Sequence, residues 1–348
     1  MPTPALPRLP CGVTDVDQFL STPSAAAARA AGTFAGPVAV LGAGGKMGLH
    51  MAAMLRQALD AAGRHDVPVI GVSRFGDQRA RERFEAFGVQ TLAADLLDEE
   101  AIARLPDFQT IYFLAGIKFG TTGQPEALRR FNEEMPAMVA ARFPTARFVA
   151  FSTGCLYSFA SPASGGSTEA DPPAPLGDYA VSCLGREQSF ARAAAQRGTP
   201  TVLVRLNYAV EFRYGVLVDI AQKVLAGKPI DISMGFVNVI WQRDAVDQIL
   251  QAVSLADSPA AIVNVAGLPI VSVSDLAHRF AAIFDRSPVL TGEPEPTAWL
   301  SNPAKAHRLF GPPTVTLDQA VEWTAAWIAG GGATLGKPTK FECRSGSF

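Results

Sequence analysis

The chain has 348 residues, 48% of them apolar and 18% charged, enough to build one large two-lobed globular body. A formal net charge of -2 supplies no broad basic field, which speaks against a nucleic-acid partner. The cysteines (Cys11, Cys155, Cys183, Cys343) are scattered and the histidines (His50, His65, His278, His307) lack ligand spacing, so neither a disulfide framework nor a metal site is expected.

The opening "MPTPALPRLPCGVTDVDQFL" lacks the basic-then-apolar pattern of a secretory signal, and no apolar run reaches the roughly 18 residues that span a bilayer. A cytoplasmic protein with no membrane partner is expected. Residues 1–35, rich in Pro and Ala with a short helical segment at "SAAAARAA", read as an N-terminal extension. Alternation then begins. Strand-like runs fall at "PVAVLG", 67–73, 89–94, 110–116, 146–153 and 201–207, with helical spacing between them, notably at 77–87, 125–142 and 178–197. Short β-rich runs joined by helices imply parallel strands with crossovers, hence an α/β, doubly wound parallel sheet of the Rossmann type over residues 36–206. After Asn207 the alternation breaks. A helix near 215–226, "KPIDIS", "AIVNVAG" (261–267) and a helix from Ser274 form a smaller mixed α/β C-terminal substrate lobe over 207–233 and 267–330. Residues 234–266 are expected to return to the main sheet, and 331–348 form a tail.

"VAVLGAGGKMG" (38–48) places Gly42, Gly44, Gly45 and Gly48, with Lys46 and Met47 between them, at the junction of the first strand and its helix. Glycine there allows a tight turn and close backbone approach to a pyrophosphate, which the positive end of the helix dipole then favours. Dinucleotide binding is the expected role. The second strand ends in Ser73-Arg74, where an arginine accommodates a 2′-phosphate and an acidic residue would grip ribose hydroxyls; NADP is therefore expected, with NAD possible. Asp95, followed by Leu96 after the third strand, is a candidate for the adenine amino group or a helix cap.

In this order the motifs resemble the extended short-chain dehydrogenase/reductase family, the NAD(P)-dependent epimerases and dehydratases of the UDP-galactose 4-epimerase type, across about residues 37–330. Gly42, Gly45 and Gly48 match its glycine signature. "FLAGIKFG" (113–120) resembles its stretch after the fourth strand, which implies cofactor contacts for Leu114, Ala115, Gly116 and Lys118. Asn132 resembles the asparagine of its N-x-x-G-T pattern, the rest of which is absent. "FSTGCLYS" (151–158) resembles the S-S/T-x-x-V-Y segment, which implies that Thr153 hydrogen-bonds substrate. "KPIDIS", Asp244, "NVAG" and "NPAKAHRLFG" resemble the family's C-terminal half. Tyr179 fits the tyrosine of Y-x-x-x-K, an acid/base in hydride transfer.

The family lysine, however, is Cys183 here. Without that ammonium the tyrosine pKa is expected to rise by about a unit or more. Three readings stay open. Lys118, or Arg186 three residues past Cys183, supplies the cation to an enzyme; Cys183 acts as a thiol, alone or with Cys155; or the fold binds NAD(P) without catalysis, as a sensor or partner-binding protein. A hydrolase fits poorly, because there is no G-x-S-x-G elbow, and the glycine loop lacks the G-K-[ST] ending of a triphosphatase. The resemblance implies a sugar or sugar-nucleotide substrate between the sheet edge and the small lobe. Asn207, Tyr208, Arg213, Trp241 and Arg243 are its candidate contacts. It also implies a homodimer packed through 178–197 and 125–142.

Overall fold

The computed structural model describes residue 10 and residues 12–118 and 123–346; Phe119 and Gly120 of "FLAGIKFG", and most of the first eleven residues of the extension, lie outside them. Seven parallel strands form the central sheet: β1 (Val38–Leu41), β2 (Val69–Ser73), β3 (Gln90–Ala93), β4 (Thr110–Phe113), β5 (Arg147–Thr153), β6 (Thr201–Leu206) and β7 (Ala261–Val265). Their spatial order is β7-β6-β5-β4-β1-β2-β3. Strands β1, β4 and β6 are buried along almost their whole length, as a sheet covered by helices on both faces requires. Alternate residues serve opposite faces. Val38 and Val40 join Met51, Met54 and Ala58 of helix α3 (Gly48–Ala61), while Ala39 and Leu41 join Phe113, Phe148 and Phe190.

Register decides what meets at the carboxyl edge. Leu41 pairs with both Val72 and Phe113, and Thr153 pairs with Leu206. The residues that follow these strands therefore emerge side by side: Gly42, Arg74, Leu114 and Asn207. Strand order reverses between β1 and β4, which opens a crevice at that point.

The N-terminal segment is more than an appendage. Helices α1 (Val13–Ser21) and α2 (Ala25–Ala31) bury Val16 with Leu20 and Ala27 with Ala31, pairs at the i, i+4 spacing that puts both on one face. Ala27 and Ala31 join the sheet core, and Val16 and Leu20 join the small-lobe core with Phe212, Trp241 and Trp323. A buried polar knot locks α1 in place. The Asp17 carboxylate accepts from Arg83 at 2.6 Å and from Arg213 at 3.1 Å, and meets His50 Nε2 at 3.0 Å. The apolar positions of this extension gain meaning only against α3 and the lobe.

The C-terminal segment also returns across the lobe. Leu335 N–H donates to the Arg213 carbonyl, Thr339 Oγ1 donates to Asp219 at 2.6 Å, and Arg344 Nη1 donates to the Thr297 carbonyl at 2.6 Å. Among the described residues no helix is long and apolar enough to cross a membrane.

Burial raises the Asp17 pKa, yet the hydrogen bonds from His50 and Arg83 and the nearby Arg213 charge more than offset this and bring it to about 2. A depressed carboxylate pKa stabilises the fold above the ordinary aspartate range, and that contribution is lost as pH falls towards 2. Replacing Asp17 with Ala should cost about 2 kcal/mol in urea unfolding at neutral pH, since it removes the acceptor that buried Arg213 and His50 share, although Arg213 keeps Glu211 and Arg83 is half exposed. An unchanged midpoint would show that the knot is dispensable.

Candidate active site

Two connected depressions lie along the carboxyl edge. The outer recess, about 250 Å³, is lined by Gly42, Gly44, Ser73, Arg74, Asp95 and Leu96, with Ala115 between it and the sheet. The inner cleft, about 310 Å³, takes in Lys46, Met47, Gly48, Lys118, Thr153 and Tyr179. Gly45, Leu114 and Gly116 border both. These candidates, from the segments after β1, β2, β3 and β4, the end of β5 and the helix that starts at Asp178, share one groove.

The glycine loop has the shape of a phosphate cradle. Gly42 has φ +85°, and a Cβ there would sit 2.5 Å from the Ala115 amide nitrogen, so only glycine lets the β1 and β4 loops touch. Gly45 differs. A Cβ on it would meet just the Gly42 carbonyl oxygen, at 3.2 Å, and would otherwise project into open space. Helix α3 starts at Gly48 behind Met47 with no side-chain cap; the Gly48 amide donates to the Gly45 carbonyl at 3.1 Å, and the positive end of the helix dipole favours an anion at the loop. The residues present thus fit a dinucleotide diphosphate.

In the outer recess Arg74 is exposed. Asp95 is not the helix cap; Asp98 takes that place, and Asp95 accepts from the Leu97 amide at 3.0 Å while its residue remains exposed.

Helix α4 (Asp178–Arg197) carries Tyr179, Cys183 and Arg186 along one face. Tyr179 and Cys183 share a hydrogen bond. Burial is the largest influence on the tyrosine and raises its pKa well above 10; the neighbouring thiols Cys183 and Cys155 add to this, and the Arg186 charge opposes it. Burial likewise raises the Cys183 thiol. Lys118 Nζ lies 5.3 Å from the centre of the Tyr179 ring. Arg186 is buried at the cleft wall, donating from Nη1 to the Phe151 carbonyl at 3.1 Å and from Nη2 to Asn132 Oδ1. The Thr153 hydroxyl accepts from the Cys155 amide at 3.2 Å and lines the cleft opposite the glycine loop.

Asn132 lines neither depression. It is fully buried in a π-helical turn, Arg130–Glu134, and donates to the Ile117 carbonyl at 3.0 Å and to Ser182 Oγ at 2.9 Å. Its amide pins the β4 loop to α4, so it positions the cleft wall without facing a ligand.

Of the five substrate candidates, Asn207 and Tyr208 line the inner cleft. The other three require correction. Arg213 is buried against Glu211 and Asp17, because its charge is consumed in the α1 knot. Trp241 is 2% exposed and packs edge-on to Phe212 at 4.9 Å, as a core residue of the lobe. Arg243 donates to the Thr22 carbonyl at 2.9 Å and to Thr314, and so joins α1 to the lobe. Among the cleft residues that sequence patterning did not single out are Tyr214 and Thr339. Tyr214 lies one residue beyond the candidate Arg213; Thr339 carries no local signal.

Comparison with known proteins agrees with this architecture. Residues 38–267 match the NAD dependent epimerase/dehydratase family. The chain belongs to that family and is an NAD(P)-dependent enzyme of its class. Among solved structures, UDP-glucuronic acid 4-epimerase from Bacillus cereus in complex with NAD is similar at 20% identity and TM-score 0.69, over 84% of this chain and 99% of that one. UDP-glucose 4-epimerase from Thermus thermophilus with NAD gives 18% identity and TM-score 0.69 over the same shares. MoeE5 in complex with UDP-glucose and NAD gives 18% and 0.66, over 85% of this chain and 99% of that one. A search of curated proteins finds no significant match.

Substituting Gly45 with Ala should leave thermal stability nearly unchanged while abolishing measurable NAD(P) binding in calorimetry, because the methyl enters the groove. Undiminished binding would mean that the diphosphate lies elsewhere.

Proposed function

We propose that this chain transfers a hydride between NADP and a sugar-type substrate, as an oxidoreductase, epimerase or dehydratase, with Tyr179 as the acid/base. One observation carries the reading: Tyr179 and Thr153 line the same cleft that the glycine loop borders. Bound nicotinamide supplies the hydride acceptor or donor. The protein's own residues must manage the proton.

At neutral pH Tyr179 holds its proton, since burial and two neighbouring thiols disfavour the phenolate. It therefore suits proton donation to a carbonyl oxygen directly. Withdrawal of a proton from a hydroxyl needs the phenolate, which Arg186 favours from one helical turn beyond the position of the family lysine. Arg186 cannot itself relay protons, so its part is electrostatic. Cys183 is a poor candidate for thiolate chemistry, because burial raises its pKa. Thr153 orients the substrate oxygen beside Tyr179, and Asn207 and Tyr208 offer further polar contacts from the adjoining end of β6.

Support for a sugar-type substrate comes from neighbours whose structures hold UDP-glucose or UDP-glucuronic acid beside NAD. NADP preference rests on Arg74, exposed at the recess where the adenosine ribose of a dinucleotide would lie, with Ser73 beneath it.

Tyr179→Phe should lower turnover by about 10²- to 10⁴-fold with cofactor affinity within about twofold. In the wild type, alcohol oxidation should accelerate as pH rises from 7 to 10, because the phenolate fraction grows; the Phe variant should lose that slope. Full turnover by the variant would defeat the assignment. Arg74→Ala should weaken NADP binding by about tenfold or more and NAD binding by less than about twofold in calorimetry. Equal losses would remove the basis for NADP preference.

A further inference from the structure

Among the described residues the inner cleft is lined by three cationic side chains, Lys46, Lys118 and Arg186, and by no carboxylate. Arg186 is committed to Phe151 and Asn132. Lys118 sits at the Tyr179 ring. Lys46 leaves the glycine loop in a different direction. Its Nζ crosses to the segment after β6, where it reaches the Ala209 carbonyl at 3.5 Å and lies 4.2 Å from the centre of the Tyr214 ring.

Neither contact neutralises an ammonium. The nearest acidic influence, Glu211, is already engaged by the backbone and Nε of Arg213. Burial lowers the Lys46 pKa to about 8, with Glu211 opposing and Arg213 assisting, so the amine still carries its charge at neutral pH. A half-desolvated cation facing a cleft is a site for an anion.

The cofactor diphosphate is the less suitable partner. The Lys46 amine turns away from its own loop and points at Ala209 and Tyr214, on the substrate side. A nucleotide diphosphate on the substrate is also poorly served. The described lining residues contributed from β6 onward, 206–210, 214–216 and Thr339, include no charged side chain. One ammonium matches one carboxylate.

We propose, on the reading of the cleft as a hydride-transfer site for sugar-type molecules, that Lys46 anchors a substrate carboxylate and that the substrate is a free sugar acid, not a nucleotide-linked sugar. Lys46 is then a specificity-determining binding residue. Thr153, Asn207 and Tyr208 are left to meet the sugar's hydroxyls.

The test is calorimetric titration of the NADP-loaded full chain with D-glucuronate, D-glucose and UDP, on the wild type, Lys46→Met and Lys46→Arg. Glucuronate should bind about tenfold or more tightly than glucose and than UDP. The preference should vanish in Lys46→Met and return in part in Lys46→Arg, with NADP affinity within about twofold throughout. Equal binding of the two sugars, no binding of either, tighter binding of UDP, or a preference that survives Lys46→Met would each overturn the proposal. So would loss of NADP affinity in Lys46→Met, which would assign the amine to the cofactor. These readings need no turnover, so failure of hydride transfer, detected by absorbance of the reduced nicotinamide, is scored separately.

Discussion

Where β1 and β4 part company at the carboxyl edge of the sheet, two loops must touch backbone to backbone, and the absence of a side chain at Gly42 permits it. That contact fixes the floor of the groove. With Gly42 against Ala115, the strand register carries Arg74 to one side and Thr153 and Asn207 to the other. A bulkier residue at Gly42 would force the loops apart and separate the outer recess from the inner cleft. The site is thus a consequence of strand order and of one missing methyl before it is a matter of reactive side chains.

On this floor the second wall is built by helix α4 and held by polar contacts that point away from the ligand. Asn132 ties the β4 loop to Ser182 and Arg186, and Glu187 accepts from Ser152 at 2.6 Å and from Arg205 Nη2 at 2.7 Å. Most polar atoms of this buried network are paired, Arg186 Nε and Arg205 Nη1 being exceptions, and the network supports Tyr179 and Thr153. The π-helical turn around Asn132 fits the same logic, because an extra residue in the turn swings a side chain to where a regular helix would not place it.

Much of this was legible in the chain. Strand–glycine–helix at 38–61, the Ser73-Arg74 junction and the four-residue spacing of Tyr179 and Cys183 are local patterns, and local geometry suffices to place them on one edge. Contacts between distant segments were not legible. Trp241 after a short strand reads the same whether it faces a sugar or Phe212, and Arg213 looks available until Asp17, 196 residues away, is seen to claim it. Thr339 reaches the cleft only because the C-terminal segment is strapped down by Asp219 and Thr297. For Lys46, position in the glycine loop was plain, but the direction of its side chain depends on Tyr214 across the groove.

The guanidinium beside Tyr179 limits what else its helix can carry. Arg186 occupies dry space against Gly116, where even a Cβ would collide with its guanidinium. A lysine at position 183 would bring a further ammonium to a pocket that already holds Arg186 and, at the Tyr179 ring, Lys118. The tyrosine helix therefore has room for its own arginine or for a lysine one turn before it, and not for both at once.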